Sequence, residues 1–306
     1  MFVHQGYPVL KVLAAAKVSS SSFYYRPVQG KKGRKCSEYT HTTSGQYVTN
    51  QEVIEQIEEL LVQEFVDYGY VKVTHWLRNE KNYVINKKKV YRLMKEHKLL
   101  NAKRIVNRRS RKWVEDLVPQ PEQIFEHLEV DIKYIYVHGK RRNAMQLTVI
   151  DVLSRWVMGY QIGWSMTNVD LIQLFDKIML EYAMPKSVYV RNDNGSQFVA
   201  NKVRAYFDHM EGVVQEFTRP ATPEQNAHIE ALHSIIEKLV CTPYYFKDLE
   251  ELKVVMSRFV RFYNQERVHS GVGYTSPMKY IMKNMPGFNG GLAQPGGMAN
   301  PSYATQ

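Results

Sequence analysis

The sequence predicts an α/β fold with a mixed five-stranded sheet and flanking helices, preceded by a smaller all-α domain of helix-turn-helix type. Apolar residues recur at helical spacing through residues 50–105, alternate at strand spacing from residue 128, and then follow a strand–helix succession to residue 217. We therefore divide the 306 residues into an N-terminal helical segment and linker (1–49), a helix-turn-helix domain (50–105), a basic connector (106–122), an α/β core (123–285) and a disordered tail (286–306).

Composition excludes several classes of protein. The longest uninterrupted apolar run, residues 12–16, is far shorter than the roughly 20 residues of a membrane-spanning helix. Cys36 and Cys241 stand far apart with no CxxC or Cys/His cluster, so neither a disulfide framework nor a thiolate zinc site is encoded. We expect a cytoplasmic protein with no membrane partner.

The elements of the first hundred residues are mainly helical. Residues 7–26 read as a short helical unit, and residues 27–49, rich in Gly, Lys, Ser and Thr, read as a linker. Asn50 then caps the first of three helices, and Asn86 caps the third. The residues of this third helix expected to face inward are Val90, Tyr91, Leu93 and Met94.

The positive charge is concentrated in one stretch. The formal net charge is +11, and residues 81–112 hold thirteen Lys and Arg against one acid, Glu96, so the remainder is close to neutral. A run of one sign favours a polyanion over a solvated helix face, because phosphate neutralisation drives nucleic-acid binding. Three short helices with a basic last one are typical of a bundle that lays its final helix in a major groove of DNA.

The α/β domain opens with an alternating segment. Apolar residues at 128, 130, 132 and 134 alternate with Glu129, Asp131 and Lys133, which puts Asp131 on the polar face of a half-buried strand. The elements predicted next are strands at 145–151 and 157–162, a helix at 168–182, a strand at 187–190, a helix at 200–210 and a strand at 213–217. Three consecutive strands followed by strand–helix alternation predict a mixed sheet.

A well-marked helix follows the fifth strand. Thr222 and Gln225 have the spacing of a capping box, with Pro223 in the first turn. The apolar stripe of this helix is Ile229, Leu232, Ile236 and Leu239. Glu230 and His233 are then expected on the opposite or flanking face. A last helix is predicted at 249–263.

Three acids are candidate catalytic residues: Asp131 on the first strand, Asp193 after the fourth, and Glu230 on the helix after the fifth. Sites in open α/β sheets lie at the carboxyl ends of strands. Converging carboxylates seldom persist without a cation, and an all-oxygen set selects Mg²⁺ or Mn²⁺. Two such ions can activate an attacking oxygen and stabilise a leaving oxygen at a phosphodiester. Each acid alone also fits an ordinary turn or a solvated helix face.

Several ordered motifs resemble one family. They are D-N-G-S-Q-F at 193–198, T-P-E-Q-N-A-H-I-E at 222–230, Y-N-x-x-R-x-H at 263–269, G-Y-T-S-P at 273–277 and, in the basic bundle, K-K-V-Y-R-L-M at 88–94. Over about residues 50–283 the chain resembles the integrase-core transposases of bacterial insertion sequences, and most closely the second-frame product of the insertion-sequence-three family.

The resemblance implies a ribonuclease-H-like integrase core, a catalytic and metal-binding triad of Asp131, Asp193 and Glu230, and two Mg²⁺ (or Mn²⁺) ions. It implies a Mg-dependent polynucleotidyl transferase that cleaves the terminal inverted repeats of an element and joins the freed 3′-hydroxyl to target DNA. The residues expected to contact DNA are Lys87, Lys88, Lys89, Arg92, Lys95, Arg108, Arg109, Arg111, Lys112, Asn194, Gln197, Asn226 and Lys238.

Some positions leave alternatives open. The family usually has Lys or Arg at the position of Glu237, so either Lys238 takes that role or the DNA end is bound differently. Asn194 and Gln197 contact DNA or metal-bound water, or else stabilise a turn. His233 is a phosphate contact or a surface histidine, and the late motif around Arg267 supports the active-site helix.

Two other functions and several partners follow. The alternatives to a transposase are a catalytically inactive DNA-binding regulator of transposition and a nuclease of the same fold. The resemblance implies double-stranded DNA as partner, a homo-oligomer on paired ends, association with the bacterial nucleoid, and an upstream-frame partner or frameshifted fusion.

Overall fold

The computed structural model describes residues 2–25, 36–102, 120–219 and 223–288, which divide into two compact units at Glu38/Tyr39. The first unit holds α1 (Val9–Ala15) and α2 (Ser20–Phe23), as the prediction of a short helical unit requires. The connector up to residue 119, the tail from residue 289, and Thr222 lie outside the described residues.

The second unit opens with a small antiparallel sheet that the sequence analysis missed. Its strands are β1 (Tyr39–Thr42), β2 (Tyr47–Thr49) and β3 (Tyr83–Val84), in the order β2-β1-β3. The linker prediction for residues 27–49 is therefore wrong from residue 39 onward. These strands of two to four residues are too short to show a period in the sequence.

The three predicted helices are present as α3 (Asn50–Val62), α4 (Tyr70–Glu80) and α5 (Lys87–Glu96). The cap of α3 is Thr49 rather than Asn50: its hydroxyl accepts from the N–H of Glu52, whose carboxylate accepts from the N–H of Thr49. Asn86 caps α5 as expected. The inward placement of Tyr91 is wrong, because its side chain is 40% exposed and lies edge-on to Tyr70.

The five-stranded sheet has the order β6-β5-β4-β7-β8. Its strands are β4 (His127–Val137), β5 (Arg142–Asp151), β6 (Val157–Gly163), β7 (Val188–Asn192) and β8 (Val213–Phe217). The first three form an antiparallel meander, whereas β7 and β8 run parallel to β4. The prediction of a mixed five-stranded sheet is confirmed.

Helices cover both faces of this sheet. They are α6 (Asn168–Glu181), α7 (Ser196–Val199), α8 (Asn201–Asp208), α9 (Ala227–Ile236), α10 (Leu249–Gln265) and α11 (Pro277–Asn284). Apolar residues of α6 and α8 pack against one face of the sheet, around Val130 and Val149. Those of α9 and α10 pack against the other, around Ile135 and Val157. The core also extends past the predicted start of the tail, because the Phe288 ring lies against Trp156.

The three-helix domain and the α/β core share one apolar core. The Phe65 ring packs between those of Phe259 and Phe262 on α10, at centroid separations of 5.5 and 5.9 Å. The Tyr68 hydroxyl accepts a hydrogen bond from the N–H of Val268 at 2.8 Å. Residues of both domains belong to a single buried cluster, so they fold as one body.

Within the described ranges, no helix has both the length and the apolar character that crossing a membrane demands.

Candidate active site

Strand pairing brings Asp131 and Asp193 side by side. β4 and β7 are parallel neighbours, and their register pairs Val130 with Asn192. The next residue on each chain is an aspartate: Asp131 is still within β4, and Asp193 directly follows the last residue of β7. Two of the three predicted acids therefore directly follow the last paired residues of these neighbouring strands.

The loop after β7 holds Asp193 in place. Its Oδ1 accepts a hydrogen bond from the N–H of Gly195 at 2.9 Å. A Cβ atom at Gly195 would lie only 2.9 Å from that same oxygen, so a larger residue there would displace the Asp193 carboxylate. Asn194 donates from Nδ2 to the carbonyl of Thr218 at 2.8 Å, which joins this loop to the end of β8.

Glu230 completes the set from the first turn of α9, where it is exposed as predicted. The pKa of Asp131 is raised to about 7, first by burial and then by the negative charges of Asp193, Glu230 and Glu129, while the N–H of Ile132 opposes the rise. The negative charges of Asp193 and Glu230 therefore act on Asp131, and a divalent cation relieves repulsion of this kind.

The face of β4 that bears Asp131 is not a solvent face. Its carboxylate is only 18% exposed and lies under α9, with the Nδ1 of His233 3.4 Å from its Oδ2. Central strands are covered on both faces, so a polar alternation there marks a buried site. His233 is buried too, and burial, with the nearby Lys133 charge, lowers its pKa to about 4. The expectation of a surface histidine is therefore wrong.

Among the residues that the structure describes, no three His, Cys, Asp or Glu side chains are gathered tightly enough to hold a metal ion. The Oδ1 of Asp131 accepts a hydrogen bond from the N–H of Ile132, and the Oδ1 of Asp193 accepts one from the N–H of Gly195. The donor set nonetheless fits Mg²⁺ or Mn²⁺, because it consists of carboxylate oxygens that already repel each other.

Lys238, the basic residue expected to bind the DNA end, contacts the helical domain instead. Lys238 is 57% exposed and pairs with Asp67 of the helical domain at 2.6 Å, away from the carboxylates. Glu237 pairs instead with Lys133, at 2.8 Å. Lys133 is two residues after Asp131, and therefore on the same face of β4. It is a cation of this site that the sequence analysis did not select.

The other residues predicted to contact DNA divide into three groups. Lys87, Lys88 and Lys95 are exposed on α5. Lys89 and Arg92 are half-buried, and Lys89 donates to the carbonyl of Tyr39 at 2.7 Å. Those outside the described residues are Arg108, Arg109, Arg111 and Lys112.

Two predicted DNA contacts flank the carboxylates. Asn226 is only 5% exposed at the start of α9, so the prediction that it contacts DNA conflicts with its burial. Gln197 is half-exposed in α7. The predicted capping box lies partly outside the described residues, because it needs Thr222; a 3-10 turn at Pro223–Asn226 precedes α9, and Gln225 accepts from the N–H of Arg219 at 2.6 Å.

The late motif is structural, as expected. Asn264 on α10 both donates to and accepts from the backbone of Val157 at 2.9 Å, which joins α10 to the outer strand of the sheet. The buried Arg267 pairs with Asp67 at 2.9 Å. The motif therefore links the sheet, α10 and the helical domain.

This sheet, with carboxylates on adjacent strands and a third on the covering helix, defines an integrase-core protein. Residues 121–223 and residues 211–277 each match the integrase core domain family, and residues 49–109 match the HTH-like domain family. The chain thus has an HTH-like domain followed by an integrase core domain.

Several of its relatives come from insertion sequences. It is 27% identical to the uncharacterized 39.2 kDa protein of insertion element IS476 from Xanthomonas euvesicatoria, over 76% of this chain and 68% of that protein. It is 24% identical to the putative transposase InsK of element IS150 from Escherichia coli K12, over 91% and 95%. The catalytic core domain of BIV integrase superposes with a TM-score of 0.42 at 15% identity, over 52% of this chain and 95% of that one. The resemblance to insertion-sequence transposases of the insertion-sequence-three type is confirmed.

Proposed function

We propose that this protein is a DNA transposase that cleaves and joins strands at the terminal inverted repeats of an insertion sequence. The observation that carries the proposal is the effect of Asp193 and Glu230 on Asp131, in a chain that also has an HTH-like domain. Relatives named as transposases support the same function.

The chemistry is phosphodiester transfer in two steps. In the first, a water oxygen forms a bond to phosphorus, the bond from phosphorus to the 3′ oxygen breaks, and that oxygen takes a proton. In the second, the freed 3′-hydroxyl attacks a phosphodiester of the target strand, displacing another 3′ oxygen and losing its own proton. Asp131, Asp193 and Glu230 would hold one or two Mg²⁺ ions, which when bound neutralise charge on the attacking and leaving oxygens.

The chain's own residues orient the DNA. Lys133 lies on the Asp131 face of β4, where its ammonium can contact a phosphate once it leaves Glu237. His233 is neutral beside Asp131 and adds no positive charge there. A protein acting on two ends of an element would also work as an oligomer.

The direct test incubates the full chain with labelled duplex from the ends of its own genetic locus, in Mg²⁺ and in EDTA. We expect nicked strands and joined product in Mg²⁺ and neither in EDTA. Nicking without joined product would indicate a nuclease of the same fold. Tight binding with no nicking, even with the upstream-frame product added, would contradict the enzymatic proposal and leave a DNA-binding regulator.

The basic face of α5 is testable by DNA binding alone. Replacing Lys87 and Lys88 with alanine should weaken binding about tenfold at moderate salt, for every duplex sequence, because both side chains are exposed. The slope of log K against log salt should fall in magnitude by about two. Fluorescence anisotropy over a series of salt concentrations measures both.

The matched control removes two lysines from the opposite side of the sheet. Lys177 on α6 and Lys202 on α8 are also exposed. Their double alanine variant loses two positive charges and therefore has the same net charge as the α5 variant. If this control loses as much affinity as the α5 variant, binding reflects overall charge and the α5 assignment is wrong.

A further inference from the structure

Glu129 is a fully buried carboxylate next to the active site. It lies on β4 two residues before Asp131, on the same face of the strand, and its side chain has no exposed surface. A buried carboxylate is costly unless it is hydrogen-bonded. Its partners therefore indicate why the chain keeps an acid at this position.

Within the described residues, the side-chain hydrogen bonds of Glu129 are all with the first turn of α9. Oε2 accepts from the backbone N–H of His228 at 2.9 Å and from that of Ile229 at 2.7 Å. Oε1 accepts from Nδ1 of the His228 ring at 2.7 Å. Glu129 thus binds α9 by two backbone donors and one side-chain donor.

These two N–H groups are the ones that a helix-capping side chain normally satisfies, at the second and third residues of the helix. The capping residue of α9 is Asn226, whose side chain makes no capping hydrogen bond. Glu129 on β4 therefore supplies the capping hydrogen bonds of α9. The strand that bears Asp131 and the helix that bears Glu230 are joined at this cap.

We infer that Glu129 is a positioning residue that fixes Glu230, one residue beyond Ile229, opposite Asp131 for metal binding. The inference rests on the proposed function, because Glu129 is inferred to set the distance between the carboxylates of that function's metal site. His228 is part of the device, because its ring holds the Glu129 carboxylate in the capping orientation.

The test measures binding of Mn²⁺ alone to the full chain by electron paramagnetic resonance, without DNA or turnover. We expect Glu129→Gln to raise the Kd for Mn²⁺ about 10- to 100-fold, the usual effect of losing a residue that orients a metal ligand. Glutamine keeps the shape but has one carbonyl oxygen for three donors. Cleavage by this variant should recover at high Mg²⁺, and its affinity for duplex DNA should be unchanged.

Glu126→Gln is the matched control. Glu126 also accepts backbone hydrogen bonds, from Glu122 and Gln123, but far from α9. The Glu126→Gln variant should bind Mn²⁺ with the same Kd as the wild type. Should Glu129→Gln fail to fold, His228→Gln removes only the ring contact and should raise the Kd about two- to tenfold.

The outcomes separate the two claims. If the wild type binds Mn²⁺ and Glu129→Gln and His228→Gln bind it equally well, the positioning inference is wrong while the proposed function stands. If the wild type binds no Mn²⁺, the metal-dependent function fails and the inference falls with it. An equal loss in Glu126→Gln would also overturn the inference, because the effect would then be one of general stability.

Discussion

Asp193→Asn should abolish strand cleavage and joining while leaving duplex binding intact. Asn keeps the size of the side chain and its acceptor oxygen for the N–H of Gly195, so the loop after β7 is retained. It removes one of the negative charges that converge on Asp131. Losing several kcal/mol of transition-state charge stabilisation corresponds to a rate lowered about a thousandfold or more.

The measurement is the fraction of labelled terminal duplex that is nicked and joined over time in Mg²⁺, beside anisotropy on the same duplex. Asp131→Asn and Glu230→Gln should behave like the Asp193 variant. The control is Asp208→Asn, an exposed acid at the end of α8 with the same change of charge. Residual joining above one per cent in the Asp193 variant would remove Asp193 from the catalytic set.

Of the variants considered, Asp67→Ala should cause the largest decrease in the free energy of unfolding. The carboxylate of Asp67 lies 2.9 Å from the guanidinium of Arg267, whose side chain is 3% exposed. Burial would raise the pKa of Asp67, but the charges and hydrogen bonds of Arg267 and Lys238 outweigh it and lower the pKa, so the group is ionised at neutral pH. Removing it leaves a buried cation without this partner, which costs about 3–5 kcal/mol.

Chemical denaturation followed by tryptophan fluorescence measures this loss as a change in the free energy of unfolding. Lys238→Ala is the matched control, because it removes the exposed partner of the same carboxylate and should cost no more than about 1 kcal/mol. Equal effects of the two variants would mean that the Asp67–Arg267 pair does not stabilise the junction of the two domains.

Much of the site could be predicted because its information is local. The alternation around Asp131 and the position of Asp193 after a parallel strand predict that these two acids lie on neighbouring strands, and β4 and β7 are neighbours. The outward position of Glu230 follows from the apolar stripe of its helix. Such signals need only the period of a strand or a helix.

The rest depends on partners distant in sequence. Glu129 reads as one more polar residue of an alternating strand, and only the fold brings it to the first turn of α9, about a hundred positions later. Glu237 and Lys238 are adjacent, yet their partners are Lys133 and Asp67. No local pattern predicts such pairs. The β1–β2 hairpin was missed for a different reason, because its strands are too short to show a period.

The shared core of the helical domain and the integrase core has a consequence for the DNA. Because Phe65 and Tyr68 are anchored on α10 and on the segment after it, α5 and the carboxylates keep one separation. Under the proposed function, a duplex held by α5 would then present its phosphodiesters to Asp131 at a set number of base pairs. Half a turn of extra duplex, about five base pairs, would turn the scissile bond to the far side of the helix. The chain would act as a molecular ruler, and the spacing between bound sequence and cut would be part of what it recognises.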